Sequence, residues 1–121
     1  MKNFNLLFVY GTLKRGCKNN SLLAGQEFIS EARTLPRYRL YDTGEHPCLV
    51  EDKNQGVSVQ GEIWRIDEAT RLQLDRFEEV PNRFVPQSIA ILGQTLPILA
   101  YFFRGDVRGF KDCGESWSPG M

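Results

Sequence analysis

Phe4-Asn5-Leu6-Leu7-Phe8-Val9-Tyr10-Gly11-Thr12-Leu13-Lys14-Arg15-Gly16 is an apolar run that stops abruptly at Tyr-Gly-Thr-Leu. Leu6 to Tyr10 has the length and the aromatic and β-branched content of a buried strand. Gly11 then allows a backbone turn that other residues resist. Such a turn can aim several main-chain N–H groups at one spot and form a small anion-binding nest. An ordinary strand-to-turn junction is the plain alternative. A phosphate loop does not fit, because Gly16 leads into Cys17-Lys18 where a lysine and a hydroxyl should follow the second glycine. The Gly-x-Gly-x-x-Gly dinucleotide pattern is also absent. A ligand held here is expected to be an amino-acid-sized carboxylate rather than a nucleotide.

Outward from this stretch, short strand-like runs alternate with turn residues. Lys14 to Asn20 reads as a loop and Ser21 to Gly25 as a short helix or turn. Glu27 to Leu35 alternates weakly as a strand would. Tyr38 to Tyr41 is expected to be extended before a turn over Asp42 to Glu45. Val57 to Ile66 alternates most clearly, with Val57, Val59 and Ile63 facing inward, Trp64 a further candidate, and Gly61 as a bend or bulge. Asp67 suits a helix N-cap. Glu68 to Phe77 then reads as a helix of two to three turns with Ala69 and Leu72 on one side, and Pro81 bars its continuation. Phe84 to Leu92 and Leu96 to Phe103 read as a hairpin joined through Gly93-Gln94. The chain from Gly105 onward reads as an irregular tail. Many strands and little helix predict an α+β fold with a curled sheet or small mixed β-barrel flanked by short helices.

With 121 residues, the chain is expected to form a single domain over 1–121 around one core. Fifteen basic and fifteen acidic residues cancel, which argues against nucleic acid as a partner. No apolar run reaches the roughly 20 residues that span a bilayer. Phe4 to Tyr10 is too short for a signal peptide and has no small-residue cleavage site behind it, so the cytoplasm is the expected location. Three cysteines (Cys17, Cys48, Cys113) form no Cys-x-x-Cys pair, and free thiols are expected. His46 is the single histidine, and no metal-ligand spacing is present. A Cys48–His46 thiol nucleophile is disfavoured, since Pro47 between them fixes the backbone.

Leu74-Asp75-Arg76-Phe77-Glu78-Glu79-Val80-Pro81 is the second notable constellation. Glu78 and Glu79 fall at the C-terminal end of the expected helix, where the partial negative charge disfavours carboxylates. Glu78 is also flanked by Phe77 and Val80. An apolar wall, a like-charged neighbour and the helix end each push its pKa upward. A carboxylate tuned that way makes a better general base near neutral pH. A solvated acidic pair at a helix end is the alternative.

In combination these residues resemble the γ-glutamylcyclotransferase-like proteins, including the AIG2-like and γ-glutamylamine cyclotransferase groups. Tyr10-Gly11-Thr12-Leu13 resembles the family's Tyr-Gly-(Ser/Thr)-Leu signature, and Gly16 with Asn19 the loop after it. Leu40-Tyr41, Gly44 and Pro47 are similar to its Leu-Tyr…Gly…Pro segment. Gly56, Val59 and Gly61-Glu62-Ile63-Trp64 resemble its Gly-x-Val-x-Gly-Glu-aliphatic-aromatic strand, and Leu74-Asp75-x-Phe77-Glu78 its Leu-Asp-x-x-Glu motif. Tyr101 falls where the family often has a late-strand tyrosine. The likeness covers about residues 4 to 104.

The resemblance implies a small β-barrel with flanking helices and an enzyme that releases an amine or amino acid from a γ-glutamyl compound, leaving 5-oxoproline. It implies Glu78 as general acid/base and main-chain binding of the glutamyl unit at Tyr10, Gly11, Thr12 and Leu13. No metal or cofactor is implied, and the partner is a small-molecule γ-glutamyl substrate, with no nucleic acid and no membrane. The chain departs from the family pattern at Glu79, where Gly is common, and at Phe84 and Pro86, where Tyr-x-Arg is common. These departures keep open a non-catalytic barrel that binds a small carboxylate or a protein. The leaving group and the oligomeric state are not fixed by these motifs.

Overall fold

The computed structural model describes residues 3–119. β1 (Phe4–Val9) lies in the middle of a five-stranded sheet. It pairs antiparallel with β5 (Gln60–Asp67), from Phe4 opposite Asp67 to Val9 opposite Glu62. Beyond β5 comes β2 (Glu27–Arg33), and on the other side of β1 come β7 (Leu99–Phe103) and β6 (Phe84–Ser88). β1 and β7 run parallel, so the sheet is mixed. A second sheet of three strands has the order β4 (Pro47–Glu51), β3 (Tyr38–Asp42), β8 (Lys111–Gly114). The α+β class follows as expected, with one α-helix among the described residues, α1 (Glu68–Phe77), and a short 3-10 turn at Asn20–Leu23. The named strand pairings among the described residues give these two sheets, and an isolated antiparallel bridge, Thr34 opposite Ile91, joins the segments that follow the edge strands β2 and β6.

The five-stranded sheet is covered on both faces. Phe8, Ile63 and Phe102 pack with Leu40 and Leu49 of the smaller sheet. Leu7, Val9, Trp64, Ile66 and Tyr101 pack on the opposite side with Leu74 and Leu23. Successive side chains of a strand point to opposite faces, so a doubly covered strand reads as a continuous apolar run. That is why β1 shows no alternation and why Glu62, Ile63 and Trp64 are all buried.

α1 begins as the sequence predicts, with Asp67 Oδ1 accepting from the Thr70 N–H at 2.8 Å. The buried face differs from the expected one. Leu72 is 48% exposed and Ala69 is exposed, while Thr70 and Leu74 are buried. Residues four apart stack on one helix face, so the Thr70–Leu74 stripe continues to Glu78. Packing against the sheet, rather than apolar content, selects the face.

Three further expectations need correcting. Gly61 is neither bend nor bulge: it pairs regularly with Ala32, and the register shift lies in β2 between Phe28 and Ser30. Gly61 is bare because a Cβ there would lie 2.4 Å from the Val9 carbonyl oxygen and 2.5 Å from the Phe8 ring. The tail from Gly105 is not wholly irregular. It supplies β8 against β3 and buries Trp117. The β6–β7 hairpin forms with shorter strands than expected: β6 ends at Ser88, and Ile91 beyond it bridges Thr34.

Candidate active site

The C-terminal ends of β1 and α1 open onto one cavity of about 370 Å³. Val9 to Leu13 form one wall, and Phe77 with Glu78 form another. Arg83, Phe84 and Tyr101 close a third side, with His46 from the β3–β4 turn, Pro47 at the start of β4, and Lys18 and Asn19 from the loop after β1. Tyr10, Gly11, Thr12, Leu13 and Glu78, all singled out from the sequence, thus meet around one space although Glu78 lies 65 or more positions from the loop in sequence.

The loop is built so that its carbonyls are occupied. Gly11 O accepts from the Lys14 N–H and Thr12 O from the Asn19 N–H, both at 3.0 Å. Leu13 O accepts from Asn20 Nδ2 at 2.8 Å, and Thr12 Oγ1 from Asn19 Nδ2 at 3.0 Å. The N–H groups of Gly11, Thr12 and Leu13 meet no acceptor among the described residues. The loop is therefore rich in spare donors, the property a carboxylate or a developing oxyanion needs.

Gly11 serves a purpose other than the one expected. Its φ is not positive, so the turn itself does not demand glycine. A Cβ at Gly11 would lie 2.4 Å from Pro47 Cγ and 2.7 Å from Pro47 Cδ, so the absent side chain lets the β3–β4 turn close over the loop. Gly11→Ala is expected to push Pro47 and His46 outward and to cost about 1–3 kcal/mol, the usual range for overpacking. Denaturant unfolding checks this, and an unchanged midpoint would mean Pro47 yields freely.

Glu78 is the C-cap of α1, and its own N–H bonds back to Leu74 O at 2.8 Å. The Glu79 N–H donates to Arg76 O at 3.1 Å and the Val80 N–H to Asp75 O at 2.9 Å, the two bonds of a Schellman ending. This pins Glu78 on the buried side and turns Glu79 outward. Burial pushes the Glu78 carboxyl up from 4.5 to about 7, with Arg83 opposing the rise and Glu79 adding to it. No described residue donates a hydrogen bond to that carboxylate, so its lone pairs are open to the cavity.

Glu79 does not line the cavity; its carboxylate meets Arg83 Nη1 at 3.3 Å. Its φ of 54° is the left-handed conformation that glycine adopts without strain. Glu79→Gly is expected to raise stability by about 1 kcal/mol, since the exposed ion pair it removes contributes little. It also removes a like charge beside Glu78, so the pKa of Glu78 should fall. Thermal unfolding and a carboxyl titration followed by NMR test both parts.

The phenols of Tyr10 and Tyr101 are pushed up chiefly by burial and remain protonated donors. Tyr10 OH donates to Tyr101 O, and Tyr101 OH donates to Asp75 Oδ1 at 2.7 Å. Asp75 in turn meets Arg71 at 3.6 Å. Cys48 is fully buried and burial pushes its thiol up to about 12, which makes it a poor nucleophile, in keeping with the sequence reading.

Arg83 and His46 were not anticipated. Arg83 Nη2 donates to His46 Nε2 at 2.6 Å, and His46 Nδ1 lies 3.2 Å from Pro47 O. The tautomer with hydrogen on Nδ1 satisfies both contacts. Arg83 thereby brings a cation to the cavity, although Pro86 stands where the family pattern often carries arginine. Pro86 itself is accommodated because β6 is an edge strand. The alternation of β6 gave no hint of Arg83, which precedes the strand. Among the described residues no cluster of His, Cys, Asp and Glu is placed to hold a metal ion, and no helix is long and apolar enough to cross a membrane.

The family model "Gamma-glutamyl cyclotransferase, AIG2-like" matches residues 7–119. The chain belongs to this family. A Vibrio cholerae protein named "Putative gamma-glutamylcyclotransferase" is 44% identical over 111 residues, which is 92% of this chain and 94% of that protein. Human γ-glutamylaminecyclotransferase is 41% identical over 83 residues, covering 63% of this chain and 54% of the human one, so the match spans about half the human protein. The crystal structure of an AIG2-like mouse protein superposes with a TM-score of 0.86 at 25% identity, covering 98% of this chain and 91% of that one. The AIG2-like fold thus extends over nearly the whole chain, as the resemblance implied.

Proposed function

We propose that the chain is a γ-glutamyl cyclotransferase whose general acid/base is Glu78. The observation that carries this reading is the meeting, in one cavity, of a half-buried carboxyl raised to about 7 and a loop with three unoccupied amide donors. The donors of Gly11, Thr12 and Leu13 hold the glutamyl unit, and Tyr10 backs the loop. The neutral α-amine attacks the γ-carbonyl carbon, and a new C–N bond closes the five-membered lactam. Glu78 takes the proton that this nitrogen sheds. The old C–N bond then breaks, and the proton passes to the departing nitrogen, leaving 5-oxoproline and a free amine.

So sparse a site suffices because the reaction is intramolecular. Well-oriented ring closures gain about 7–11 kcal/mol from freedom already lost on binding. What remains for the protein is to fold the substrate, move one proton and stabilise an oxyanion. Membership in a family with members named γ-glutamylcyclotransferase and γ-glutamylaminecyclotransferase supports the same reaction class. The reading is tested by incubating the purified chain with γ-glutamyl amines and γ-glutamyl amino acids and assaying 5-oxoproline, with Glu78→Gln as control. Tight binding without turnover of any of them would favour a binding protein of the same fold.

A further inference from the structure

The Gly61-Glu62-Ile63-Trp64 stretch takes no part in the reaction above, yet Glu62 is a carboxylate only 7% exposed. A buried carboxylate must be paired and hydrogen-bonded to be tolerated. Glu62 Oε1 accepts from the Arg15 main-chain N–H and from Trp64 Nε1, both at 3.1 Å. Glu62 Oε2 accepts from Arg15 Nε, also at 3.1 Å. The Arg15 guanidinium lies 3.7 Å over the Phe28 ring, and that ring stands edge-on to Trp64. The backbone of Glu62 is meanwhile the ladder partner of Val9, the last residue of β1.

One residue therefore fastens both ends of the segment between Val9 and Arg15. That segment holds the three amide donors. We infer that Glu62 is a positioning residue, which staples the Tyr10–Lys14 loop at its entry through the β1–β5 ladder and at its exit through Arg15. The inference rests on the proposed function only for the consequence it has on turnover. A charged acceptor suits this post better than an amide. Glutamine would keep one oxygen but turn its NH₂ group toward another donor, Arg15 Nε or the Arg15 N–H.

Two readouts on Glu62→Gln test this. In the first, KM for a γ-glutamyl substrate rises about tenfold or more, kcat changes less than about threefold, and the pH midpoint set by Glu78 does not move, because the loop binds the glutamyl unit without touching the base. In the second, NMR order parameters of the Gly11, Thr12 and Leu13 amides fall from the rigid value of about 0.85 to below about 0.6, while those of Phe8 and Ile63 stay rigid. Arg15→Gln keeps the main-chain bond to Oε1. It should give a smaller KM rise, and no further rise when combined with Glu62→Gln. It also carries the test if the Glu62 variant does not fold. Unchanged order parameters, or an unchanged KM in a variant that is merely less stable, would overturn the assignment. If no γ-glutamyl compound were turned over by the parent chain, the proposed function would fail, and the order parameters alone would decide whether Glu62 holds the loop.

Discussion

Replacing Glu78 with Gln is expected to lower kcat for 5-oxoproline formation by about 10²–10⁴-fold, the range contributed by one positioned general acid/base. Gln keeps the shape of the side chain and the α1 ending, whose hydrogen bonds are all main-chain. Binding of a γ-glutamyl compound should therefore survive. The pH profile of the parent enzyme carries the same argument. Only the ionised carboxyl accepts a proton and only the neutral amine attacks, so kcat/KM should fall steeply below about 7 as Glu78 takes up a proton, and above it should rise more gently until the substrate's α-amine, with a pKa of about 8, is neutral. Arg83→Gln removes the cation that opposes the rise and should move the midpoint upward. Stopped-time assays between pH 5 and 9 measure both effects. Turnover of Glu78→Gln equal to that of the parent would reject Glu78 as the base, and Asp75 would be the next acid to examine, since it contacts Tyr101 on the cavity wall.

Much of this site was legible in the sequence because local chemistry fixed it. β1 and its sharp end followed from an apolar run halted at Gly11, and α1 ran from Glu68 to Phe77 as the Asp67 cap and Pro81 required. What failed was tertiary. The helix face was misassigned because Leu72 and Ala69 look like packing residues, whereas the sheet took Thr70 and Leu74. That error also hid why Glu78 is half-buried: it continues the Thr70–Leu74 stripe by one more turn. Gly11 looked like a turn glycine, but only the approach of Pro47, 36 positions away, explains it. Arg83 and His46 left no local signal, since their pairing joins a turn of the small sheet to the segment before β6. The strand near the C-terminus was lost among glycines and charges because β8 draws its order from β3, not from its own four residues.

The same substitution that stops the chemistry is expected to make the protein more stable at alkaline pH. In the unfolded chain the Glu78 carboxyl titrates near 4.5, and in the folded protein at about 7. Between these values the folded state keeps a proton that the unfolded state has released. Stability therefore declines as pH rises from about 4.5 to about 7, and the full cost is carried above that. The separation between the two values corresponds to about 3 kcal/mol. Gln carries no charge at any pH, so Glu78→Gln should exceed the parent by about that amount at pH 8, and the gap should close below pH 4.5. Chemical denaturation at pH 4.5, 6 and 8 resolves the trend, since the slope with denaturant should be unchanged. A variant equally or less stable at pH 8 would mean that the carboxylate is well solvated there, which would also remove the reason for its raised pKa. The coupling has a functional logic. A base strong enough to take a proton near neutral pH must be held where its charge is unwelcome, and the fold carries that cost at the C-terminal end of α1.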